Sequence, residues 1–266
     1  MAVPLSPTTP LASTRPLPRA DRFVHTLTRR WLFLLGLLLG LYAGLPWLAP
    51  VFMQAGWGGG DRRARFPLSG VGRVIYAIYS TQCHQLPQRS YFLFGPKAMV
   101  SLTEVQAAWQ DTENPFVLRQ FVGNAAMGWK VAWSDRMVSL YTSVFFGAVL
   151  YSPVRKRWKP LPLWLFAISL LPLLVDGGSH FISDLAGIGS GFRDSNAWLV
   201  ALTGNSLPAA FYAGDALGSF NWLMRLLTGM SAGLAMAWFA LPYIDAWADE
   251  ARRDLERGWA RAGLNP

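Results

Sequence analysis

Twenty-three consecutive residues without a charge, WLFLLGLLLGLYAGLPWLAPVFM from Trp31 to Met53, constrain this chain more than any other feature. A helix needs about 20 predominantly apolar residues to cross the ~30 Å hydrocarbon core of a bilayer. Three further uncharged runs, at 137–152, 160–175 and 226–243, lie nearer the short limit. Four spans are therefore expected. Composition agrees, since 52% of the 266 residues are hydrophobic and only 15% charged, a departure from soluble proteins in the direction of membrane proteins.

A formal net charge of +9 would suit nucleic acid if the basic residues formed one stripe, but they gather at span ends instead. Arg15, Arg19, Arg22, Arg29 and Arg30 precede the first run, RKRWK (Arg155 to Lys159) joins the second to the third, and Arg252, Arg253, Arg257 and Arg261 follow the fourth. Short basic segments stay on the cytoplasmic side. Four spans with both termini cytoplasmic satisfy this for all three groups, and Arg62, Arg63 and Arg65 then fall in a long outer loop, where charge counts less. The expected fold class is all-α: an integral membrane helical bundle of four transmembrane helices plus interfacial helices, multi-pass in the cell inner (plasma) membrane, with no nucleic-acid partner.

Residues 1–20 hold five prolines and no acidic residue, and a disordered cytoplasmic tail is expected over 1–30. TRRWLFL (Thr28 to Leu34) resembles a twin-arginine signal in outline, but the apolar run is too long for a cleaved signal and reads as an anchor. The membrane domain is expected over 31–243, with outer loops at 54–136 and 176–225. GWGGGDRRARFPLSG opens the first loop as a flexible linker. Val71, Val74, Ile75, Ile78 and Tyr79 then recur at helical spacing, predicting a helix on or partly in the outer interface that ends near Cys83 to Pro87. SLTE (Ser101 to Glu104) is a capping box and starts a short helix toward Gln110. The segment VLRQFVGNAAMGWKVAWSDR returns the chain to the second span. Pro172 predicts a kink in the third. Residues 195–204 and 220–229 share Asn, Leu, Thr and Gly in register, read as coincidence between two helix starts. From 244 to 266 a cytoplasmic amphipathic helix is expected, with Trp247, Ala251, Leu255 and Trp259 as its apolar stripe and Asp249 paired to Arg253.

This topology gathers the reactive side chains at one boundary. Asp135 and Arg136 begin the second span, Asp176 ends the third and Arg225 begins the fourth, while STQCHQLPQRS (Ser80 to Ser90), His180, Arg193, Asp194, Asn196 and Asn221 belong to the same two outer loops. Charges at membrane depth usually face the bundle and pair with one another, so these residues are expected around the mouth of a four-helix bundle. A lone cysteine, Cys83, excludes an intramolecular disulfide.

CHQLPQRSYFLFG, GWKVAWSDRMVSLY, DGGSH and NWLMRLLTG, in that order, resemble a family of uncharacterised bacterial and archaeal integral membrane proteins, a domain of unknown function marked by Cys-His-Gln and Arg-Ser. The resemblance covers roughly residues 70 to 240. It implies a small helical membrane protein and supplies no activity. Cys83, His84, Gln85, Pro87, Arg89 and Ser90 match its first motif, Asp135 or Arg136 its second, Asp176 and Gly177 its third, and Arg225, Thr228 and Gly229 its last. The family pattern also implies a cysteine just before the acidic and basic residues of the second motif, where this chain has Ser134. A thiol pair is thereby ruled out here.

Several chemistries stay open. Cys83 or His84 with His180 and Asp176 would be a metal site drawn from three segments, which lacks the spaced pairs of zinc proteins, so no metal and no cofactor is expected. Cys83 as a nucleophile beside Arg89 or His84 would serve lipid or peptide acyl transfer. Arg89, Arg136 and Arg225 could clamp a lipid phosphate with Asp135 or Asp176 as general base. The candidate set is thus Cys83, His84, Asp135 and Asp176 for catalysis, with Gln85, Arg89, Ser90, Arg136, Asn221 and Arg225 for ligand binding. A membrane protein with an outward-facing arginine-rich cleft for an anionic lipid or lipid-linked substrate is the leading expectation. Its alternatives are a lipid phosphoryl- or acyl-transfer enzyme and a non-catalytic assembly subunit with a membrane-protein partner. Transport is disfavoured by the absence of charge at any span centre. Replacing Arg225 with Gln is expected to spare folding.

Overall fold

The computed structural model describes residues 17–57 and 66–264. The proline-rich segment to residue 16 and most of the glycine-rich linker, with Arg15, Arg62, Arg63 and Arg65, lie outside the described residues. The chain runs α1 (Arg19–Trp57), α2 (Phe66–Ser80), a 3-10 turn (Pro87–Arg89), β1 (Ser90–Leu93), α3 (Leu102–Ala108), α4 (Pro115–Leu118), β2 (Gly123–Asn124) and β3 (Gly128–Ser134). There follow α5 (Asp135–Val154), α6 (Leu163–Asp184), α7 (Phe192–Ser195), α8 (Ala197–Thr203), α9 (Ala209–Tyr212) and α10 (Phe220–Arg261). Among the described residues four helices, α1, α5, α6 and α10, are long and apolar enough to cross a membrane.

Three of the four expected spans lie inside longer helices, and the third, expected over 160–175, is displaced toward the C-terminus in Leu163–Asp184. Helix α1 starts at Arg19, so residues 19–30 are helical rather than a tail. Pro18 is the last early breaker, and its carbonyl accepts the first helical hydrogen bond from Arg22. Helix α6 begins after Pro160 and Pro162 and continues to Asp184, so Asp176 to His180 lie within it and not in an outer loop. Gly177 does not end the helix because its missing Cβ is used for packing: a methyl there would approach Arg136 Nη1 to 3.1 Å. Helix α10 is continuous to Arg261, fusing the fourth span with the terminal helix. Trp247 is exposed, so the expected stripe is broken, and Asp249 pairs with Arg252 rather than Arg253. The terminal turns instead pack on α1, where Trp259 Nε1 donates to Asp21 and His25 meets Glu256.

The close pair is α5 with α10. Gly229 and Gly233, four apart on α10, face the α5 backbone: a Cβ on Gly233 would come within 2.2 Å of the Leu140 carbonyl. Small residues at this spacing let two helices pack backbone to backbone where lipid leaves no hydrophobic drive between them. On the other side, α1 packs against α2, β3 and α5 around Tyr42, Tyr79, Trp133 and Tyr141.

A small sheet corrects the all-α expectation. Strands β1 and β2 flank β3, both antiparallel, in the order β1-β3-β2. Every residue of β3 is buried, so the alternation that marks a strand with one wet face is missing from GWKVAWS. Helix α2 ends at Ser80, somewhat before the expected limit, and buries Ile75, Tyr76 and Tyr79 while Val71, Val74 and Ile78 remain exposed. The capping box is formed as expected, Ser101 Oγ accepting from the Glu104 N–H and Glu104 from the Ser101 N–H. Pairing of Ser90 with Ser134 is the step that builds the site, because it lays the end of the Cys83–Arg89 loop against the first residues of α5.

Candidate functional site

A cavity of about 150 Å³ lies where the Cys83 loop, α5, α6 and α10 meet. Three arginines line it, Arg89, Arg136 and Arg225, with two histidines, His84 and His180. Cys83 and Ser134 complete its polar wall, and Gln82 and Met137 the rest. A larger groove of about 730 Å³ between α1 and α5 is walled mainly by apolar side chains such as Phe33, Leu37, Phe145 and Val149. The residues expected to converge are therefore largely brought together, but their roles divide.

The carboxylates hold the arginines from behind. Arg225 is 2% exposed and donates through Nε to both oxygens of Asp135, at 2.9 and 2.8 Å. Asp176 accepts from Arg136 Nη2 and Arg193 Nη2, each at 2.7 Å, and from Thr228 at 3.4 Å. Arg89 makes a two-pronged pair with Asp184, at 2.7 and 2.6 Å. Asp135 and Asp176, expected as general bases, do not line the cavity and are engaged as partners of arginines. Removal of Arg225 would leave Asp135, 1% exposed, as a buried unpaired charge, so the Gln replacement is expected to weaken the fold.

Three other expected ligand residues brace loops. Gln85 Nε2 donates to the carbonyls of Tyr76 and Ala132, and Ser90 Oγ to that of Leu86. Asn221 Nδ2 joins the carbonyls of Arg193 and Gly214. None lines the cavity. Among the described residues no group of three His, Cys, Asp or Glu side chains is placed to hold a metal ion.

What remains around the cavity is a set of unspent donors. Arg225 Nη1 and Nη2, Arg136 Nε and His180 Nδ1 are buried without a hydrogen-bond partner. Arg193 Nη2 lies 3.1 Å from His180 Nε2, which must accept from a guanidinium, so the hydrogen sits on Nδ1. All four atoms are donors. Leaving such groups unmade in a buried site costs about 1–3 kcal/mol each, more when charged. Arg136, Arg193 and Arg225 share only two carboxylates, leaving a positive balance among them. His84 is exposed, and partial burial of its ring, then Arg89, Arg136, Arg225 and Lys130, hold its imidazole below the ordinary value. It is neutral at physiological pH, with Nδ1 accepting from the Leu86 N–H.

Sequence reasoning missed two participants. Asp184 completes a line Asp176, His180, Asp184 at four-residue steps on one face of α6, a spacing visible in the sequence once the helix is extended past Asp176. Lys130 is fully buried in β3, its Nζ donating to the carbonyls of Gln85 and Arg119. Desolvation lowers it to about 7, against a smaller opposing effect of Cys83. Ser134, where the resemblance implies a second thiol, has its Oγ 3.4 Å from Cys83 Sγ.

Residues 125–239 match a family described as "Predicted membrane protein (DUF2085)". The matched region holds Asp135, Arg136, Asp176, His180, Arg193 and Arg225 but not the Cys83 loop. An uncharacterized protein of Methanocaldococcus jannaschii is 26% identical over 170 residues, 63% of this chain and 67% of that protein. No solved structure matches. The chain is thus similar to predicted membrane proteins of unknown function.

Proposed function

We propose that this membrane protein binds a phosphate-bearing group in the Arg89–Arg136–Arg225 cavity, at the membrane boundary facing away from the arginine-rich helix ends. The observation that carries the reading is that every unpartnered buried polar atom on the cavity-lining residues is an N–H donor. Two hydrogens on each of Arg225 Nη1 and Nη2 and one each on Arg136 Nε and His180 Nδ1 exceed the roughly four acceptor sites of a carboxylate. Three terminal phosphoryl oxygens match them better. The volume, about five waters' worth at ~30 Å³ each, suits a phosphoryl group rather than a whole head group.

Position supports a lipid or lipid-linked source. Arg136 is the second residue of α5 and Arg225 the sixth of α10, the depth at which lipid phosphates lie. The positive-inside rule assigns Arg155 to Lys159 and the α10 terminus to the cytoplasm, which turns the cavity outward in the plasma membrane. Binding of inorganic phosphate and of phosphatidic acid in micelles, followed by phosphorus NMR on wild type and Arg225→Lys, tests the reading. The lysine keeps a charge for Asp135 but lacks the guanidinium fork. Phosphate broadening in wild type that is lost in the variant is expected, with tighter binding of the lipid. Neither ligand binding, or equal binding by both proteins, would overturn it.

A further inference from the structure

The Cys83 side chain has no part in holding the cavity arginines, yet its sulfur has three polar neighbours. Sγ accepts from the Gln85 and Ser134 N–H groups, each at 3.4 Å, and lies 3.4 Å from Ser134 Oγ. Gln85 reaches this position with φ at 51°, left-handed backbone that a branchless glycine adopts freely and other residues at a cost. The cost is offset by four tethers: the Gln85 side chain to two carbonyls, Lys130 to the Gln85 carbonyl, and Arg119 to the carbonyl of Ser80. A second observation points the sulfur at a ligand. Arg225, with both Nη atoms unpartnered and 2% of its surface exposed, lines the same cavity.

We infer that Cys83 is a nucleophile that takes a phosphoryl group from a phosphate monoester bound in this cavity, an inference that rests on the phosphate-binding reading above. Two aligned N–H donors and surrounding cations are what stabilise a sulfur anion for attack. The unspent guanidinium donors stand where charge gathers on the transferring oxygens. Sγ attacks phosphorus, the S–P bond forms and the P–O ester bond breaks. The thiol proton passes through the Ser134 hydroxyl to the departing oxygen, which leaves as an alcohol. Water then attacks the phosphocysteine: the S–P bond breaks, one water proton returns through Ser134 to sulfur, and the other leaves with inorganic phosphate. No metal or redox partner is required.

Since Cys83 is the sole cysteine, alkylation followed by mass spectrometry reads it without ambiguity. On the full chain in detergent, iodoacetate should modify Cys83 at least about tenfold faster than uncharged iodoacetamide, because the cavity concentrates the anion. Inorganic phosphate should protect it. With p-nitrophenyl phosphate and with phosphatidic acid, acid quenching should trap phosphocysteine at Cys83, and Cys83→Ser should bind phosphate but release no product. Turnover of the lipid alone identifies a lipid phosphate as substrate, whereas turnover of both identifies any accessible monoester. Phosphate binding with ordinary thiol reactivity and no trapped phosphocysteine overturns the nucleophile while leaving the binding reading intact. Failure of phosphate to bind removes both.

Discussion

At one end of the α5–α10 pair, Asp135 of α5 meets Arg225 of α10; at the other, Asp245 of α10 meets Arg155, the C-cap residue of α5. Both pairs are separated by twenty residues on each helix, about 30 Å at 1.5 Å per residue, so the two ion pairs bracket one hydrocarbon thickness. Their chemistry differs in how the groups are used. Asp245 accepts from Trp31 Nε1 and Arg155 Nη2 on one oxygen and from Tyr151 Oη and Arg155 Nε on the other. Its acceptor sites are filled, and no atom of Arg155 is buried without a partner. Arg225 touches Asp135 through Nε alone and leaves Nη1 and Nη2 unspent. The first arrangement is a staple and the second a socket. An ion pair at a helix end therefore says little about function until its unused donors are counted.

Removing one partner should strain the two ends unequally. Arg225→Gln leaves Asp135 buried and unpaired and should lower stability by about 3–5 kcal/mol, with much of the loss restored when Asp135→Asn is added. Arg155→Gln leaves Asp245 with Trp31 and Tyr151 as donors in a partly accessible site, so a loss of about 1–3 kcal/mol is expected. Denaturation of the detergent-solubilised variants measures both, and equal losses would erase the distinction. A smaller effect separates staple from socket by ligand. Phosphate at a hundredfold excess over its dissociation constant should stabilise wild type and Arg155→Gln by about 2.7 kcal/mol and Arg225→Lys by nothing measurable. A shift abolished by Arg155→Gln instead would relocate the anion site to the wrong end.

The uncharged runs made the four long helices legible, because a stretch such as Trp31–Met53 has one stable setting. Convergence of Cys83, His84, Arg89, Arg136 and Arg225 followed from topology alone. Their division of labour did not. Whether Asp135 faces a ligand or the back of an arginine depends on side-chain direction across three helices, which no local spacing records. Asp176 ends the uncharged run and so marks the expected span end, whereas α6 runs on for two more turns with Gly177 packed on Arg136. The sheet has a related reason for being illegible: β3 is buried on both faces, so GWKVAWS carries no alternation to mark it as a strand.

Lys130 sharpens the comparison because it is a buried amine behind the socket that faces carbonyls rather than a carboxylate. Its folded value of about 7 lies below the ordinary 10.5, with desolvation as the main cause. Between these values the unfolded chain binds a proton that the folded chain does not, so stability rises with pH, by at most about 1.4 kcal/mol per unit. Below about pH 7 both states are protonated and the slope vanishes. A neutral amine has two hydrogens, and Nζ has two acceptors, so the deprotonated form is fully satisfied in place. The difference in stability between wild type and Lys130→Met, measured from pH 6 to 9.5 to stay below tyrosine ionisation, should be flat near pH 6 and increasingly favour wild type above pH 7. The Arg155–Asp245 staple shares no hydrogen-bond partner with Lys130, so introducing Arg155→Gln into both proteins should leave this difference curve unchanged. A wild-type curve as flat as that of the methionine variant would mean that Lys130 keeps its proton and adds a further positive charge behind the socket.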